Sequence, residues 1–349
     1  MSAGIADVAA RAGVSVATVS RALRGLPNVA ESTRRRVLEA AGELRYVAHP
    51  HAARLAAGRS QTIGVVVPLF TRWFFAQVVA GAESVLTPAC YDLLLYSVGS
   101  IQGRARFLDT MPFRKRVDGI VLVDLPLDDA EQAALAEQGV PVAAVGLRTR
   151  FFASVTIDNV AATAAATRHL TALGHTRIGL ISGPPEDPVR LTTPWERREG
   201  YRRALREQAL EVRPELHVPA SFSFQGGAEA MARLLRADRP PTAVIAESDE
   251  MAIGALKAAR DASLRVPEEL SIIGFDGHDL AEFTGLTTIA QPVVEQGEIA
   301  ATLLLEVMND PPDGDPPQVV LPTRLVVRST TGPPPAMRRA SKAGARPRL

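Results

Sequence analysis

Between Ile5 and Leu23 apolar residues recur at helical spacing, with a single interruption. Ile5, Val8, Ala9 and Ala12 fall three and four apart, on one face of a short helix. Gly13 ends that run, because only glycine takes the left-handed turn conformation cheaply. Ser15 stands where a second helix wants its N-cap, with Val19 and Leu23 on the inner face. Two short helices crossing at a glycine turn, with the small Ala9 at the approach and the β-branched Val19 locking the second, predict a helix-turn-helix. The second helix of such a unit enters the DNA major groove. Here it offers Val16, Ala17, Thr18, Ser20 and Arg21 outward, with Ser15 at its start. An ordinary helical hairpin at a domain edge would not require spacing and polarity to agree over the whole stretch.

A third helix is predicted to start at a cap on Ser32 or Thr33, with Val37, Leu38, Ala41 and Leu44 as its stripe. Arg34, Arg35 and Arg36 near its start read equally as phosphate contacts or as a solvated face. The head closes near Tyr46. Pro50 restarts the chain, and HAARLAAG before Gly58 is alanine-rich and helix-prone, read from its residues as a linker.

From Ile63 strand and helix patterns alternate. TIGVVVP is followed by helical spacing from Phe74 to Leu86, and YDLLLYSV by a basic helical stretch to Arg116. DGIVLVD, a helix through Leu135 and PVAAVGL continue the series. A second series runs RIGLISG, a helix around Gly200 to Ala209, TAVIAES, MAIGALKAAR and LSIIGFD. Apolar runs alternating with helices predict parallel sheets covered on both faces. Two doubly wound halves place a cleft beyond the carboxyl ends of their strands. The fold class is therefore an all-α head on an α/β core of two parallel-sheet subdomains. After Gly332 the tail is proline-rich and basic without apolar periodicity, which predicts disorder, and it lacks the leucine heptads of a coiled coil.

With 349 residues, 46% apolar and 22% charged, the chain fits a soluble protein of more than one domain. The net charge of +1 hides an uneven distribution. Residues 1–60 hold nine Arg against four acids, residues 331–349 five Lys or Arg and no acid, and the middle 25 basic against 34 acidic residues. A basic head on an acidic body confines phosphate contacts to the head. No stretch is long and apolar enough for a membrane span and no secretion signal opens the chain, so a cytoplasmic, nucleoid-associated protein is expected. Cys90, the one cysteine, excludes an internal disulfide or cysteine metal cluster and reads as a small core residue.

The strings DVA, AGVS and TVSR, set in this helix-turn-helix, resemble the start of the LacI/GalR family of transcriptional repressors. The element order is similar to that family's periplasmic-binding-protein-like core over nearly all of 61–330. The resemblance implies a DNA-binding domain over 1–48 and a hinge helix over 49–60. It implies an N-subdomain of 61–160 and 291–328, a C-subdomain of 161–290, and a disordered tail over 331–349. The two subdomains would be joined by three crossovers. It also implies that the hinge folds on the operator, pairs with its dimer partner and wedges Leu55 into the central minor-groove step, kinking the DNA. The family usually has Asn, a near-hinge DNA contact, where this chain has Arg24, and Gly where it has Arg45. It often has Arg two residues before the wedge leucine, where this chain has Ala53.

Pocket candidates sit where strands end. Asp158 follows a strand in VTIDN and Asp276 another in IIGFD; Asp249 in AESDE serves equally as a ligand contact or a helix N-cap. Arg197 lies three residues before Gly200, a spacing at which the resemblance implies a guanidinium forked onto the ligand; Arg198 is the neighbouring alternative, and either reads also as a surface charge. Thr193 and Phe222 match further family pocket positions. RWFF places Trp73, Phe74 and Phe75 after the first strand, with Trp73 or Phe74 over a ligand face and Phe75 in the core. No dinucleotide or P-loop motif occurs, and no nucleophile–base pair can be placed, so neither enzyme activity nor a cofactor is expected. The expected function is a homodimeric repressor of a near-palindromic operator, controlled by a sugar or sugar derivative ahead of a nucleobase. A solute-binding protein and an enzyme with a fused DNA-binding head are the rivals. The first lacks an export signal and the second a nucleophile.

Overall fold

The computed structural model describes residues 3–23, 25, 27–46, 60–184 and 192–335. Arg24 and the hinge with Leu55 lie outside the described residues. The chain divides into two compact units, residues up to Gln61 with Lys115–Asp118, and the remainder.

In the head, α1 (Ile5–Ala12) ends on Gly13 at φ 65°, and α2 (Val16–Leu23) follows. Val8, Ala9, Ala12, Val19 and Ala22 are buried together with Val37, Ala40 and Ala41 of α3 (Glu31–Glu43). The third helix therefore starts at Glu31, ahead of the expected caps; Ala30 is its N-cap and gives no side-chain bond. Leu38 is 53% exposed, because Ala40 rather than Leu38 faces the other two helices. Arg34 donates to the Ala22 carbonyl at 3.1 Å, so it ties α3 to α2. Arg45, where the family has Gly, takes φ 48°, the conformation a glycine would adopt without strain.

The core has two six-stranded sheets. The first has the order β11-β5-β4-β3-β1-β2, all parallel, from β1 (Thr62–Val67), β2 (Asp92–Ser97), β3 (Gly119–Val123), β4 (Val142–Val145), β5 (Ala153–Ile157) and β11 (Gln318–Leu321). The second is β12-β10-β9-β8-β6-β7, from β6 (Ile178–Ser182), β7 (His217–Pro219), β8 (Ala243–Ala246), β9 (Ser271–Asp276), β10 (Thr287–Ala290) and β12 (Arg324–Val326). Its pairs are parallel except for the antiparallel edge strand β12. β1, β3 and β9 are buried along their whole length, as apolar runs between helical layers require.

Against the first sheet pack α4 (Trp73–Leu86) and α12 (Val293–Asn309). Phe75, Val78, Ala82, Ala300 and Leu304 share one buried cluster with the strands. α5 (Ile101–Thr110) and α6 (Asp129–Ala136) also belong to this half. The second half carries α7 (Asn159–Ala172), α8 (Thr193–Glu207), α9 (Phe224–Leu235), α10 (Asp249–Asp261) and the short α11 (Leu280–Phe283). The chain passes between the halves after β5, after β10 and after β11.

Four expectations are corrected. Residues 324–328 join the second half, because β12 pairs with β10 and Arg328 donates to the Leu286 carbonyl. The basic stretch is helical only to Thr110, since Met111 turns left-handed ahead of Pro112. Cys90 is exposed, in the turn after α4 at φ 61°. Residues 331–335 are described and packed, not part of a disordered tail. Gly332 accepts from the buried His175 at 2.8 Å and donates to Ser271 at 3.0 Å. Residues 336–349 lie outside the described residues.

Candidate functional site

The head presents one face of α2. Ser15 caps it, its Oγ accepting the Thr18 N–H at 3.2 Å while the two hydroxyls meet at 2.9 Å. Val16, Ala17 and Arg21 are exposed, Thr18 and Ser20 half-buried, and Val19 is inside. Arg11 on α1 pairs with Glu43 of α3 at 2.6 Å, an exposed link that contributes little.

Where the strands of the core end, a cavity of about 250 Å³ opens between its halves. Arg197 is its anchor. α8 opens on a proline-containing first turn, Thr193-Pro194, and turns Arg197 inward, where it is 5% exposed. Its Nε donates to Asn159 Oδ1 at 3.0 Å, Nη1 to the Glu247 carbonyl, and Nη2 meets Asp276 Oδ1 at 3.5 Å. The guanidinium lies 3.5 Å over the centre of the Phe275 ring. Asp276 also accepts from Gln291 at 2.8 Å, and Gln291 from Gln296 at 3.0 Å. Burial pushes the Asp276 carboxyl up to about 6, against the pull of Arg197 and Gln291.

Phe74, Phe75, Phe222 and Trp73 supply apolar wall, and Thr156, Asn159, Thr193 and Ser248 polar wall. Among the described residues, several side-chain links cross the cleft. Thr193 donates to Asp124 at 3.3 Å and Trp73 Nε1 to Asp279 at 3.1 Å. Arg72 faces Glu250 at 3.9 Å and Arg148 faces Glu196 at 4.0 Å. Trp73 stacks on His278 with ring centres 4.7 Å apart, so one of its faces is already covered.

Trp73, Phe74, Thr193, Arg197, Phe222 and Asp276 are thus gathered at one cavity. Asp158 and Asp249 are not. Asp158 is exposed and caps α7, accepting from Ala161 N–H at 2.8 Å. Asp249 is fully buried, and its carboxylate is taken up by the Gly277 and His278 N–H groups at 2.9 and 2.7 Å and by Thr288 at 2.7 Å. Sequence reasoning missed Asp124, Asn159, Gln291 and Glu247. Asp124 was within reach, since it ends the GIVLVD strand as Asp276 ends IIGFD. Asn159 and Gln291 carry no such mark, being brought to the cavity by the crossings between the halves.

Glu247 lies behind the pocket, fully buried, with Oε2 accepting from Gly183 N–H at 2.8 Å and Oε1 without a hydrogen bond among the described residues. Burial pushes it up to about 8. Its folded-state value is raised, so the native chain holds a proton that the unfolded chain releases near 4.5. That contribution is complete below about 4.5 and is lost as pH rises toward 8. The unfolding free energy from urea titrations is expected to fall between about pH 5.5 and about pH 8.5, by at least about 1 kcal/mol from this group. The Glu247→Gln variant should show a flatter profile; an identical slope in both proteins would remove Glu247 as the cause.

A helix-turn-helix head joined to a two-subdomain core with a buried ligand cavity defines a DNA-binding regulator. The model of bacterial regulatory proteins of the lacI family matches residues 4–49, and that of a periplasmic-binding-protein-like domain residues 167–331. The HTH-type transcriptional repressor CytR of Escherichia coli is 37% identical over 334 residues, covering 93% of this chain and 95% of that protein. A structure of the transcriptional regulator CelR with cellobiose matches at TM-score 0.69 and 32% identity, over 94% of this chain and 99% of that one. The lac repressor dimer bound to operator and the anti-inducer ONPF matches at 0.81 and 26%, over 95% and 100%. The chain belongs to the LacI family of transcriptional regulators. No helix among the described residues is long and apolar enough to cross a membrane.

Proposed function

We propose that this chain is a ligand-controlled repressor that binds a two-fold symmetric operator as a homodimer, with a sugar or sugar derivative as its effector. The observation that carries the reading is the Arg197–Asp276–Asn159 cluster. A buried charged fork meets aromatic walls in a cavity at the crossings between the halves. A bidentate donor and a carboxylate suit vicinal hydroxyls, the aromatic rings suit the apolar face of a sugar, and the volume suits a small ligand. The cellobiose held by CelR is in keeping with this class. A ligand that favours one angle between the halves would bias operator affinity through the hinge over 49–60, where Leu55 is proposed as the minor-groove wedge.

On α2, Arg21 is proposed as the base reader, with Val16 and Ala17 in apolar contact with the DNA and Ser15, Thr18 and Ser20 toward phosphate or base edges. Arg24 is proposed as a further DNA contact. Selection of bound duplexes from a random DNA library tests the reading, and recovery of no symmetric site with or without a sugar panel would overturn it. Arg21→Ala is expected to weaken binding to the selected site on the order of a hundred-fold, since each arginine–guanine pair is worth about 1–3 kcal/mol and a dimer loses two. Ligand-induced thermal shifts should stay as they are. Equal loss of both would contradict the division of roles.

A further inference from the structure

The body of the chain is acidic, yet three consecutive cations, Arg114, Lys115 and Arg116, stand exposed in a turn ahead of β3. Their outward direction is imposed on them. Phe113 on one side is fully buried and Val117 on the other is 6% exposed, so the two apolar side chains anchor the turn and the three cations between them face water. Lys115 takes φ 58°, which tightens the turn. Among the described residues none of the three has an ion-pair partner within 4 Å.

The next residue but one, Asp118, fixes where this turn lies. Its Oδ1 accepts the Ser60 N–H at 2.6 Å and the Ser60 hydroxyl at 2.9 Å, and its Oδ2 the Gln61 N–H at 2.8 Å. Ser60 and Gln61 are the residues at which the chain arrives from the DNA-binding head. One carboxylate with three donors therefore clips the basic turn to the end of the linker. Lys115–Asp118 accordingly fall in the same compact unit as the residues up to Gln61.

We propose that Arg114, Lys115 and Arg116 form an accessory surface for DNA phosphates, held beside the linker by Asp118. The proposal rests on the DNA-binding reading of the head. Phosphate contacts carry no sequence information, so this turn adds affinity to any duplex, whereas Arg21 adds it to one. It differs from the helix-turn-helix in its signature as well as its place.

The test uses the full chain with Arg114, Lys115 and Arg116 all replaced by Ala, titrated with the selected operator duplex and with a random duplex across salt concentrations. Both affinities are expected to fall by the same factor, roughly ten-fold at about 100 mM salt. The slope of log affinity against log salt should become shallower by about 0.9 for each phosphate that the variant no longer neutralises. Asp118→Asn, which loosens the clip and keeps all three cations, should give part of the same loss. Unchanged affinity and slope in the triple variant would overturn the proposal, as would a loss confined to the operator duplex. If the unmodified chain selects no operator, the repressor reading fails, while the random-duplex titration still decides the role of this turn. Ser60→Ala, which removes one donor from Asp118 outside the turn, supplies a milder variant should the others unfold.

Discussion

Arg197→Met is expected to abolish the response to effector while leaving the head folded and able to bind DNA. The guanidinium joins three groups that have no other reason to stand together, Asn159, the Glu247 carbonyl and Asp276. Methionine keeps much of the side chain's length and its contact with Phe275 but removes every donor. Breaking a buried charge pair in this way costs about 3–5 kcal/mol, because the remaining carboxylate stays out of water. Asp276, already pushed up to about 6, would then be neutral at about pH 7. The pocket loses its fork and its charge together. A thermal-shift screen of sugars and nucleosides against the unmodified protein supplies the ligand, and calorimetry with that compound reads the variant. The expected affinity loss is at least about a hundred-fold, about 2.7 kcal/mol. Lysine is not expected to restore it, because one ammonium cannot reproduce a planar fork. Normal affinity in Arg197→Met would place the binding site elsewhere.

A second large effect is expected where α4 and α12 pack together. Gly81→Leu should destabilise the core by about 3 kcal/mol or more, a large share of the stability of an ordinary domain. A Cβ at Gly81 would fall on the backbone carbonyl of Val294 in α12, and one at Gly297 on the carbonyl of Val78 in α4. The two helices meet backbone to backbone, each supplying a glycine where the other passes. α9 and α10 repeat the device with Gly227 and Gly254. Leucine is a better helix former than glycine by roughly 0.7 kcal/mol, so a loss cannot be attributed to propensity. The urea midpoint of Gly81→Leu measures it, with Gly314→Ala as a control in open space, expected to stay within about 0.5 kcal/mol. Equal midpoints in the two variants would mean that α4 and α12 can separate freely.

The head was legible because its determinants are local. Helical spacing over Ile5–Leu23, a glycine at φ 65° and a serine cap are set by residues within one turn of each other. The apolar runs of β1, β3 and β9 were legible for a related reason, since a strand covered on both faces has no polar side to show. α9 and α12 carry a weaker signal, because their glycines, which weaken a helix by themselves, are there for partners far along the chain.

The candidate site divides along the same line. A carboxylate at the end of a strand is visible in the sequence, but Asp276, Asp158 and Asp249 look alike there. What separates them is which donors reach each one. Gln291 and Arg197 reach Asp276 from a crossing segment and from α8, whereas Asp158 and Asp249 are taken up by backbone N–H groups. By itself the sequence determined the helix-turn-helix, the alternating strands and helices, and the uneven distribution of charge, all consequences of short-range spacing and residue type. The tertiary structure alone decided which acid faces the cavity, that Trp73 is stacked on His278, and that Asp118, two residues past the turn at Arg114–Arg116, holds Ser60 and Gln61. Each of these depends on residues distant in the chain being brought within hydrogen-bonding or van der Waals reach, and no local pattern encodes that distance.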